Sequence, residues 1–316
     1  MAVNIQYPDK RQRAYIFRFG ISPIQYKEVS YPLTIEFSII RNHLASSNEA
    51  EFTIYNLNSE SREQIIHDSW DLTTRKGVQF YGGYVPTGSG MLPRCFNGVA
   101  REAYSVRQGS EWRTHIKAYD GAESFELENV SLTINKNTTE KNMIKMVMAN
   151  FKTYSKSTIG FGFNNTKKRA SSFFGNPVDV INDISRGNFF IDDGNVYVLD
   201  KNEVVTGDVV KISPENGLIG TPRYFEKKVE IEMIFEPRLK PAQLIQLDSS
   251  GANRFDGFYK ITGISHQGII SEAVGGEAVT KVTMMKIPDA IVVPDDTPNS
   301  YKLYGSDPLN VGAYVQ

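Results

Sequence analysis

The segment from Asn48 to Leu57, NEAEFTIYNL, places an apolar residue at every second position from Ala50 to Ile54. This alternation is typical of a strand with one face in a core and the other face against solvent or a partner. The spacing of Ser61 and Gln64 then predicts a capping box that opens a helix of about two turns. Val78–Tyr84 again has the composition of a strand. A strand–helix–strand unit of this kind, with further strand patterns around it, favours mainly antiparallel β structure.

Two groups of strand patterns indicate two β sections. Before residue 121, further strands are predicted at Tyr31–Ile40, Phe96–Val106 and Glu111–Tyr119. After residue 203, strands are predicted around Val229–Met233, Leu244–Leu247, Phe258–Ile264 and Val279–Met285. Residues 1–121 therefore predict a small barrel or sandwich, and residues 203–287 predict a second β domain.

Between these sections, residues 122–202 have the pattern of an α+β insert. Asn137, with Glu140 at the third position after it, predicts the cap of one helix. Asn176, followed by a proline, predicts the start of a second helix. The dipeptide Asp193–Gly194 lies between two apolar arms, which is the strongest local signal for a β-hairpin.

The last segment, residues 288–316, mixes proline, aspartate, asparagine and glycine with isolated apolar residues. Its prolines restrict a continuous helix, and it lacks the alternation of a strand. An extended C-terminal arm that docks on a neighbouring surface is therefore predicted, and packing back onto its own domain is the alternative.

The composition argues against several classes of protein. Lysine and arginine number 35 against 36 aspartates and glutamates, a formal net charge of -1, which is unlike a protein whose main role is to coat nucleic acid. Cys95 is the single cysteine, so no disulfide can form within one chain. The N-terminal sequence has no apolar signal region, and no apolar run approaches ~18 residues, so neither secretion nor membrane insertion is predicted.

No catalytic residue, cofactor-binding residue or metal ligand is predicted. The histidines at positions 43, 67, 115 and 266 do not form a recognisable metal-binding spacing. The sequence also contains no G-x-S-x-G nucleophile motif and no P-loop.

Other reactive residue types have simpler interpretations. His115 is interpreted as a surface or interface residue, His266 as a structural or interface residue, and Cys95 as a buried or half-buried thiol. The pair Asp192–Asp193 is explained by the hairpin turn. The basic run Lys167–Arg169 is interpreted as a solvated loop, with contact to an acidic partner or nucleic acid as the alternative.

Two longer segments carry a family resemblance. The first is NEAEFTIYNLNSESREQI with VQFYGGYVP and FNGVAREA, and its matching positions are Ala50, Glu51, Ile54, Asn56, Leu57, Gly83, Tyr84, Phe96 and Gly98. The second is NGLIGTPRYFEKKVEIEMIFEPRLKPAQLIQL with FDGFYKITGISHQG, and its matching positions are Gly220, Pro222, Pro237, Leu239, Pro241, Asp256, Gly257, Tyr259, Ile261 and His266. Together, over roughly residues 30 to 287, they resemble the baseplate hub proteins of contractile-tailed bacteriophages, also called the late control protein D-like family. Ala242 stands where glycine is common in that family, which predicts a different turn there.

The resemblance implies a mainly β fold with an α+β insert and two small β-barrel-like domains. It implies a non-enzymatic virion protein, a homotrimer that joins the sixfold tail tube to the threefold central spike. The implied partners are the tail tube protein, the central spike protein, other baseplate proteins and the tape measure protein. DNA is implied only in passage through the lumen during genome ejection, without stable membrane association. The implied location is the tail baseplate of the virion, after assembly in the host cytoplasm.

Two alternatives stay open. One is a hub from a related contractile injection system or from a flexible-tailed phage. The other is a cell-wall-active carbohydrate hydrolase, which requires a pair of carboxyl groups acting as acid and nucleophile. The sequence nominates no such pair.

Overall fold

The computed structural model describes residues 2–3, 12–20, 25–43, 47–66, 76–84, 92–120, 128–149, 156–251, 253–272 and 275–294. Most strands in these ranges belong to one sheet of 15 strands, and two smaller sheets of three and two strands lie in the insert. The predicted fold class, mainly β with an α+β insert, is therefore confirmed.

The first β section contains α1 and the first eight strands. Their bounds are β1 Ala2–Val3, β2 Arg13–Gly20, β3 Tyr26–Ser30, β4 Ile35–Asn42, β5 Asn48–Tyr55, α1 Ser59–Ile65, β6 Lys76–Tyr84, β7 Arg94–Gln108 and β8 Glu111–Asp120. The predicted strand at NEAEFTIYNL is β5, and its alternating residues Ala50, Phe52 and Ile54 are buried.

The capping box predicted at Ser61 and Gln64 is wrong. The cap of α1 is Asn58, whose side chain accepts a hydrogen bond from the Ser61 amide. Asparagine is among the strongest N-cap residues, and Asn58 has the extended backbone that a cap requires, so the helix starts earlier than the box predicts.

The first section curls so that strands distant in the sheet order face each other. The ring centroids of Phe17 on β2 and Phe52 on β5 are 5.0 Å apart, and those of Phe37 on β4 and Phe80 on β6 are 5.1 Å apart. Offset and tilted aromatic pairs at this spacing stabilise a core beyond the area that they bury. The curl gives this section its barrel-like form.

The insert has its own elements and its own core. Its bounds are β9 Val130–Ile134, α2 Glu140–Met148, β10 Lys156–Ile159, β11 Ser171–Gly175, α3 Pro177–Ser185, β12 Phe189–Asp192 and β13 Asn195–Val198. Met143, Ile144 and Val147 of α2 pack in one buried cluster with Ile181 and Ile184 of α3. The unit therefore has a hydrophobic centre independent of the main sheet.

One of the two predicted helix caps in the insert is correct. Asn176 caps α3, as predicted, and accepts a hydrogen bond from the Val178 amide. The cap of α2 is Thr139 rather than Asn137. Asn137 has a φ of 65°, and this left-handed conformation is incompatible with the extended backbone of a cap residue.

The second β section pairs directly with the first. Its bounds are β14 Glu203–Ile212, β15 Leu218–Phe225, β16 Lys228–Ile234, β17 Gln243–Leu247, β18 Gly257–Ile270, β19 Ala278–Lys286 and β20 Ile291–Val293, with short 3-10 helices at Pro214–Asn216 and Asn253–Phe255. Residues 263–270 of β18 run antiparallel to residues 35–42 of β4. Phe235 enters the first core, with its ring 5.3 Å from that of Phe37.

The predicted C-terminal arm starts inside the sheet. Ile291–Val293 forms β20 and pairs in parallel with Glu203–Val205 of β14, so the prediction of a tail without strands is wrong at these three residues. A run of three residues is too short for alternation to be visible in a sequence. Residues 295–316 of the arm lie outside the described residues.

Candidate functional site

Six neighbouring strands form a surface that crosses both β sections. The order is β8, β5, β4, β18, β19 and β16, with each strand antiparallel to the next. One cross-strand row runs from Tyr119 through Glu49, Ile40, Ser265 and Lys281 to Glu232. Because side chains alternate along each strand, this row lies on the face opposite the core.

We define the shared polar face by the outward residues of these strands that carry polar groups. They are Glu36, Ser38, Glu49, Glu51, Thr53, His115, Lys117, Tyr119, Glu230, Glu232, Ser265, Gln267, Lys281 and Thr283. All are exposed or half-buried, whereas their neighbours along the strands, except the half-buried Gly268, are buried. The face carries five glutamates and two lysines. With Glu111, Arg113 and Lys228, which lie on the same side nearer the strand ends, acids outnumber cations by six to four.

Ionic contacts order the part of this face that lies on the first β section. Lys117 Nζ lies 2.5 Å from Glu49 Oε1 and 3.2 Å from Glu51 Oε1. Hydrogen bonds to Glu49, Tyr119 and Glu51 raise the pKa of Lys117 above its ordinary value. Nδ1 of His115 lies 3.1 Å from Thr53 Oγ1, which places His115 on a half-buried surface position, as predicted.

A second polar feature fixes the insert to the first β section. We call it the insert anchor and define it as Arg41, Asn48, Arg94, Asp120, Asp192 and Asp193. Arg41 Nη2 lies 2.5 Å from Asp192 Oδ2, and Arg94 Nη2 lies 2.6 Å from Asp193 Oδ1. These pairs join β4 and β7 of the first section to the β12–β13 hairpin of the insert.

The turn of the β12–β13 hairpin lies within the insert anchor. Asp193 has a φ of 56° and Gly194 a φ of 73°, as required by the type I′ turn that the Asp–Gly pair predicts, so the predicted hairpin is confirmed. The Asp120 carboxyl group accepts hydrogen bonds from the Asp193 amide at 2.6 Å and from the Gly194 amide at 3.3 Å. Burial and the nearby Asp192 and Asp193 carboxylates raise the pKa of Asp120 to about 8.

The other end of the insert is fixed to the second β section by Glu203. This buried carboxylate accepts hydrogen bonds from the Phe161 amide at 2.6 Å, the Gly162 amide at 3.0 Å and the Asp200 amide at 2.7 Å. Three backbone donors compensate a buried negative charge effectively. Lys260 donates to the Asp200 carbonyl at 3.1 Å, and burial lowers the pKa of Lys260 to about 8.

The remaining residues that the sequence singled out have structural positions. His266 is fully buried, with Nδ1 2.9 Å from Thr280 Oγ1, and burial lowers its pKa to about 3. Cys95 is buried, and this burial raises the pKa of its thiol to about 12. Neither group has the properties of a catalytic base or nucleophile at neutral pH.

Sequence reasoning missed the insert anchor. It assigned Asp192–Asp193 to a turn and gave no role to Arg41, Arg94 or Asp120. A signal exists in the hairpin itself, because Asp192 precedes the Asp–Gly pair in an otherwise apolar strand, where a carboxylate requires a partner. The partner cannot be identified without the fold, since 151 residues separate Arg41 from Asp192.

The described residues contain neither a cluster of metal-binding side chains nor a helix that could span a membrane. No group of three or more histidine, cysteine, aspartate or glutamate residues in these ranges is arranged to hold a metal ion. None of the helices described above is long and apolar enough to cross a membrane.

Solved structures with a similar fold include two tail proteins and a VgrG complex. The 43 kDa tail protein of prophage MuSo2 from Shewanella oneidensis has a TM-score of 0.57 at 10% identity, covering 87% of this chain and 98% of that one. The tail protein from Neisseria meningitidis MC58 has a TM-score of 0.51 at 9% identity, covering 85% and 96%. The Francisella PdpA–VgrG complex in its lidded form has a TM-score of 0.55 at 10% identity, covering 93% of this chain and 55% of that one. These values establish similarity of fold.

The family is identified by sequence. No curated protein matches the chain at a significant level. The sequence profile of one family, described as baseplate hub gp41, matches residues 5–270, which span the first β section from β2 onward, the whole insert and the second β section as far as the end of β18. The chain therefore belongs to the baseplate hub gp41 family.

Proposed function

We propose that three copies of this chain form the hub at the tip of a contractile tail tube. The hub joins the sixfold tube above it to the threefold central spike below it. Its partners are the tail tube protein, the spike protein, other baseplate proteins and the tape measure protein. It assembles in the host cytoplasm, and genomic DNA passes through its lumen during ejection.

The pairing of β18 with β4 is the observation that carries this proposal. It joins the two β sections edge to edge in one sheet, so each copy presents two adjacent β units with the same outward face. Three copies arranged around an axis then present six β units. That number matches a sixfold tube, while the three inserts retain the threefold symmetry of a spike.

The shared polar face lines the channel in this arrangement. Its five glutamates and two lysines give it an excess of negative charge. This negative charge repels the phosphate backbone of DNA and so shortens the time that DNA stays bound to the channel wall. A wall of this kind favours passage over binding.

The hub role requires no catalysis, and we propose that the protein has none. The family to which it belongs is described as a baseplate hub, and that description supports a structural role. Incubation with purified peptidoglycan tests this part directly. Release of sugar or peptide that one point substitution abolishes would instead support the cell-wall hydrolase alternative.

Mass in solution tests the trimer. Light scattering at several protein concentrations, with and without co-expressed spike protein, should show that the spike-bound complex exceeds the mass of the spike alone by three times the chain mass of 35.5 kDa. A complex with one or two copies per spike would contradict the proposal. The isolated chain alone is the control for assembly that depends on the spike.

A second candidate is the hub of an injection or secretion apparatus without a phage head. The similarity in fold to the Francisella PdpA–VgrG complex favours it, at a TM-score of 0.55. Mass spectrometry of purified particles separates the two. Peptides of this chain in particles that contain DNA support the phage hub, and their presence only in DNA-free sheathed particles supports the second candidate.

A further inference from the structure

Two adjoining segments of the insert carry six cations. We call them the basic surface: Lys136, Lys141, Lys145, Lys167, Lys168 and Arg169. The two chain segments that carry them run side by side, because the Asn137 amide donates to the Lys167 carbonyl at 2.7 Å and the Lys141 amide donates to the Phe163 carbonyl at 2.8 Å. Five of the six side chains are exposed, and Lys141 is half-buried.

These cations are not used to stabilise the fold. Within the described residues, none of the six takes part in an ion pair. Glu140, the acid between them in sequence, is buried and paired with Arg186. Neighbouring like charges repel each other, so the cluster costs stability unless an anion binds to it.

A polar strand surface continues from the basic surface. β9 ends two residues before Lys136, and β11 begins two residues after Arg169. The outward face of these strands carries hydroxyl groups, with Thr133 Oγ1 3.2 Å from Ser172 Oγ. It also carries Phe174, whose exposed fraction of 85% is the largest among the exposed large apolar side chains of the described residues.

The residue types favour nucleic acid over an acidic protein as the anion. Five of the six cations are lysines, which are depleted in the centres of protein–protein interfaces but contact phosphates readily. Serine and threonine hydroxyl groups also bind phosphate oxygens. An exposed phenylalanine beside them offers a stacking surface for an unpaired base.

We propose that this face of the insert binds DNA through its phosphate backbone, without sequence preference. This contact is additional to the passage of DNA along the acidic channel and does not depend on the oligomeric state of the hub. The channel face repels DNA, whereas the basic surface of the insert holds it.

The test is binding of the full chain to a fluorescently labelled 25-mer, double-stranded or single-stranded, across a series of salt concentrations. The test variant combines Lys136→Gln, Lys167→Gln, Lys168→Gln and Arg169→Gln. The matched control combines Lys201→Gln, Arg223→Gln, Lys227→Gln and Lys286→Gln, which removes the same charge from exposed positions outside both the basic surface and the shared polar face. Circular dichroism melting shows whether both variants fold as the wild-type chain does.

We expect the substitutions in the basic surface to weaken DNA binding more than those in the control. At low salt, the test variant should bind at least tenfold more weakly than the wild type, and its slope of log K against log salt should be shallower by about 3. The control should lose less than threefold. The proposal is overturned by a wild-type chain that does not bind DNA, by equal losses in the two variants, or by tighter binding of a poly-glutamate peptide than of DNA.

Discussion

Asp120 lies at the end of β8, where its carboxyl group receives the turn of the insert hairpin. It faces the carboxylates of Asp192 and Asp193 and the guanidinium groups of Arg41 and Arg94, within a buried site. Burial is the largest cause of its raised pKa, followed by repulsion from the two other carboxylates. The Asp193 amide and the Arg41 guanidinium lower the pKa of Asp120, but by less than burial and the two carboxylates raise it.

The sign of the pH dependence follows from this shift. The pKa of Asp120 rises from an ordinary value of 3.8 to about 8 in the folded chain. Between these values the folded state holds a proton that the unfolded state has released, so the free energy of unfolding falls as pH rises, by up to about 1.4 kcal/mol per unit. Urea unfolding from pH 5 to pH 8 should show a steeper decline for the wild type than for Asp120→Asn. Equal slopes would contradict the assignment.

Several residues at or beside the family motif have backbone conformations or close contacts that restrict which residue type fits. Asn56 has a φ of 55°, and its Oδ1 accepts a hydrogen bond from the Trp112 amide at 3.1 Å. A Cβ at Gly98 would lie 2.5 Å from the Tyr119 carbonyl oxygen, so only glycine fits there. Ala242 has a φ of 62°, a left-handed conformation that glycine adopts most easily. The turn at Ala242 therefore keeps a backbone conformation that the glycine common in the family would favour.

The β12–β13 hairpin is the element that connects the insert to the first β section. Its turn requires positive φ at Gly194, which valine resists because of its branched Cβ. Gly194→Val should lower the free energy of unfolding by about 2 kcal/mol, whereas Gly194→Asn, the matched control, should lower it by less than half as much. Thermal unfolding measures both variants, and an unchanged melting curve for Gly194→Val would exclude the turn assignment.

The ion pair of Arg41 and Asp192 gives a second prediction for this element. Both side chains are buried, so removing one partner leaves an uncompensated charge. Arg41→Met should cost about 3–5 kcal/mol. Adding Asp192→Leu should recover part of that loss, because no buried charge then remains at the pair. The cycle is measured by urea unfolding, and additive losses would mean that the two residues do not interact in solution.

Elements were predictable from the sequence where their signals are local. β5, β8, the Asn176 cap of α3 and the Asp193–Gly194 turn follow from alternation, capping and turn chemistry. β10 and β11 were not predicted, because their four and five residues lie in a segment without a clear period. Their positions depend on pairing with β13 and β9, which a local pattern does not contain.

At the scale of the whole molecule, the sequence predicted two β sections and an insert but not how they join. The boundaries at residues 121 and 203 stay a proposal, since β18 and β4 pair across them and Phe235 packs in the first core. The sequence of a strand at a sheet edge does not identify the strand with which it pairs. The acidic polar face therefore could not be predicted from the sequence either, because its cross-strand rows form only when both β sections pair.

Truncation separates the strand at the start of the C-terminal arm from the rest of the arm. Val293 of β20 is buried beside Phe190 and Tyr197 of the insert, and Ile287 is also buried. Deletion after Lys286 should cost about 3 kcal/mol or more, because both buried side chains are lost. Deletion after Pro294 should leave the melting temperature unchanged but abolish assembly with neighbouring proteins. A residue 1–294 chain that assembles normally, or that unfolds as easily as the 1–286 chain, would refute the proposed arm.

Electron cryomicroscopy of the assembled baseplate tests the hub most directly. The predicted map shows three copies of the chain at the tip of the tube, with six β units around the axis and the shared polar face towards the channel. The three inserts should lie outside that ring and follow its threefold symmetry. A map with six copies, or with the polar face turned away from the channel, would contradict the proposed role.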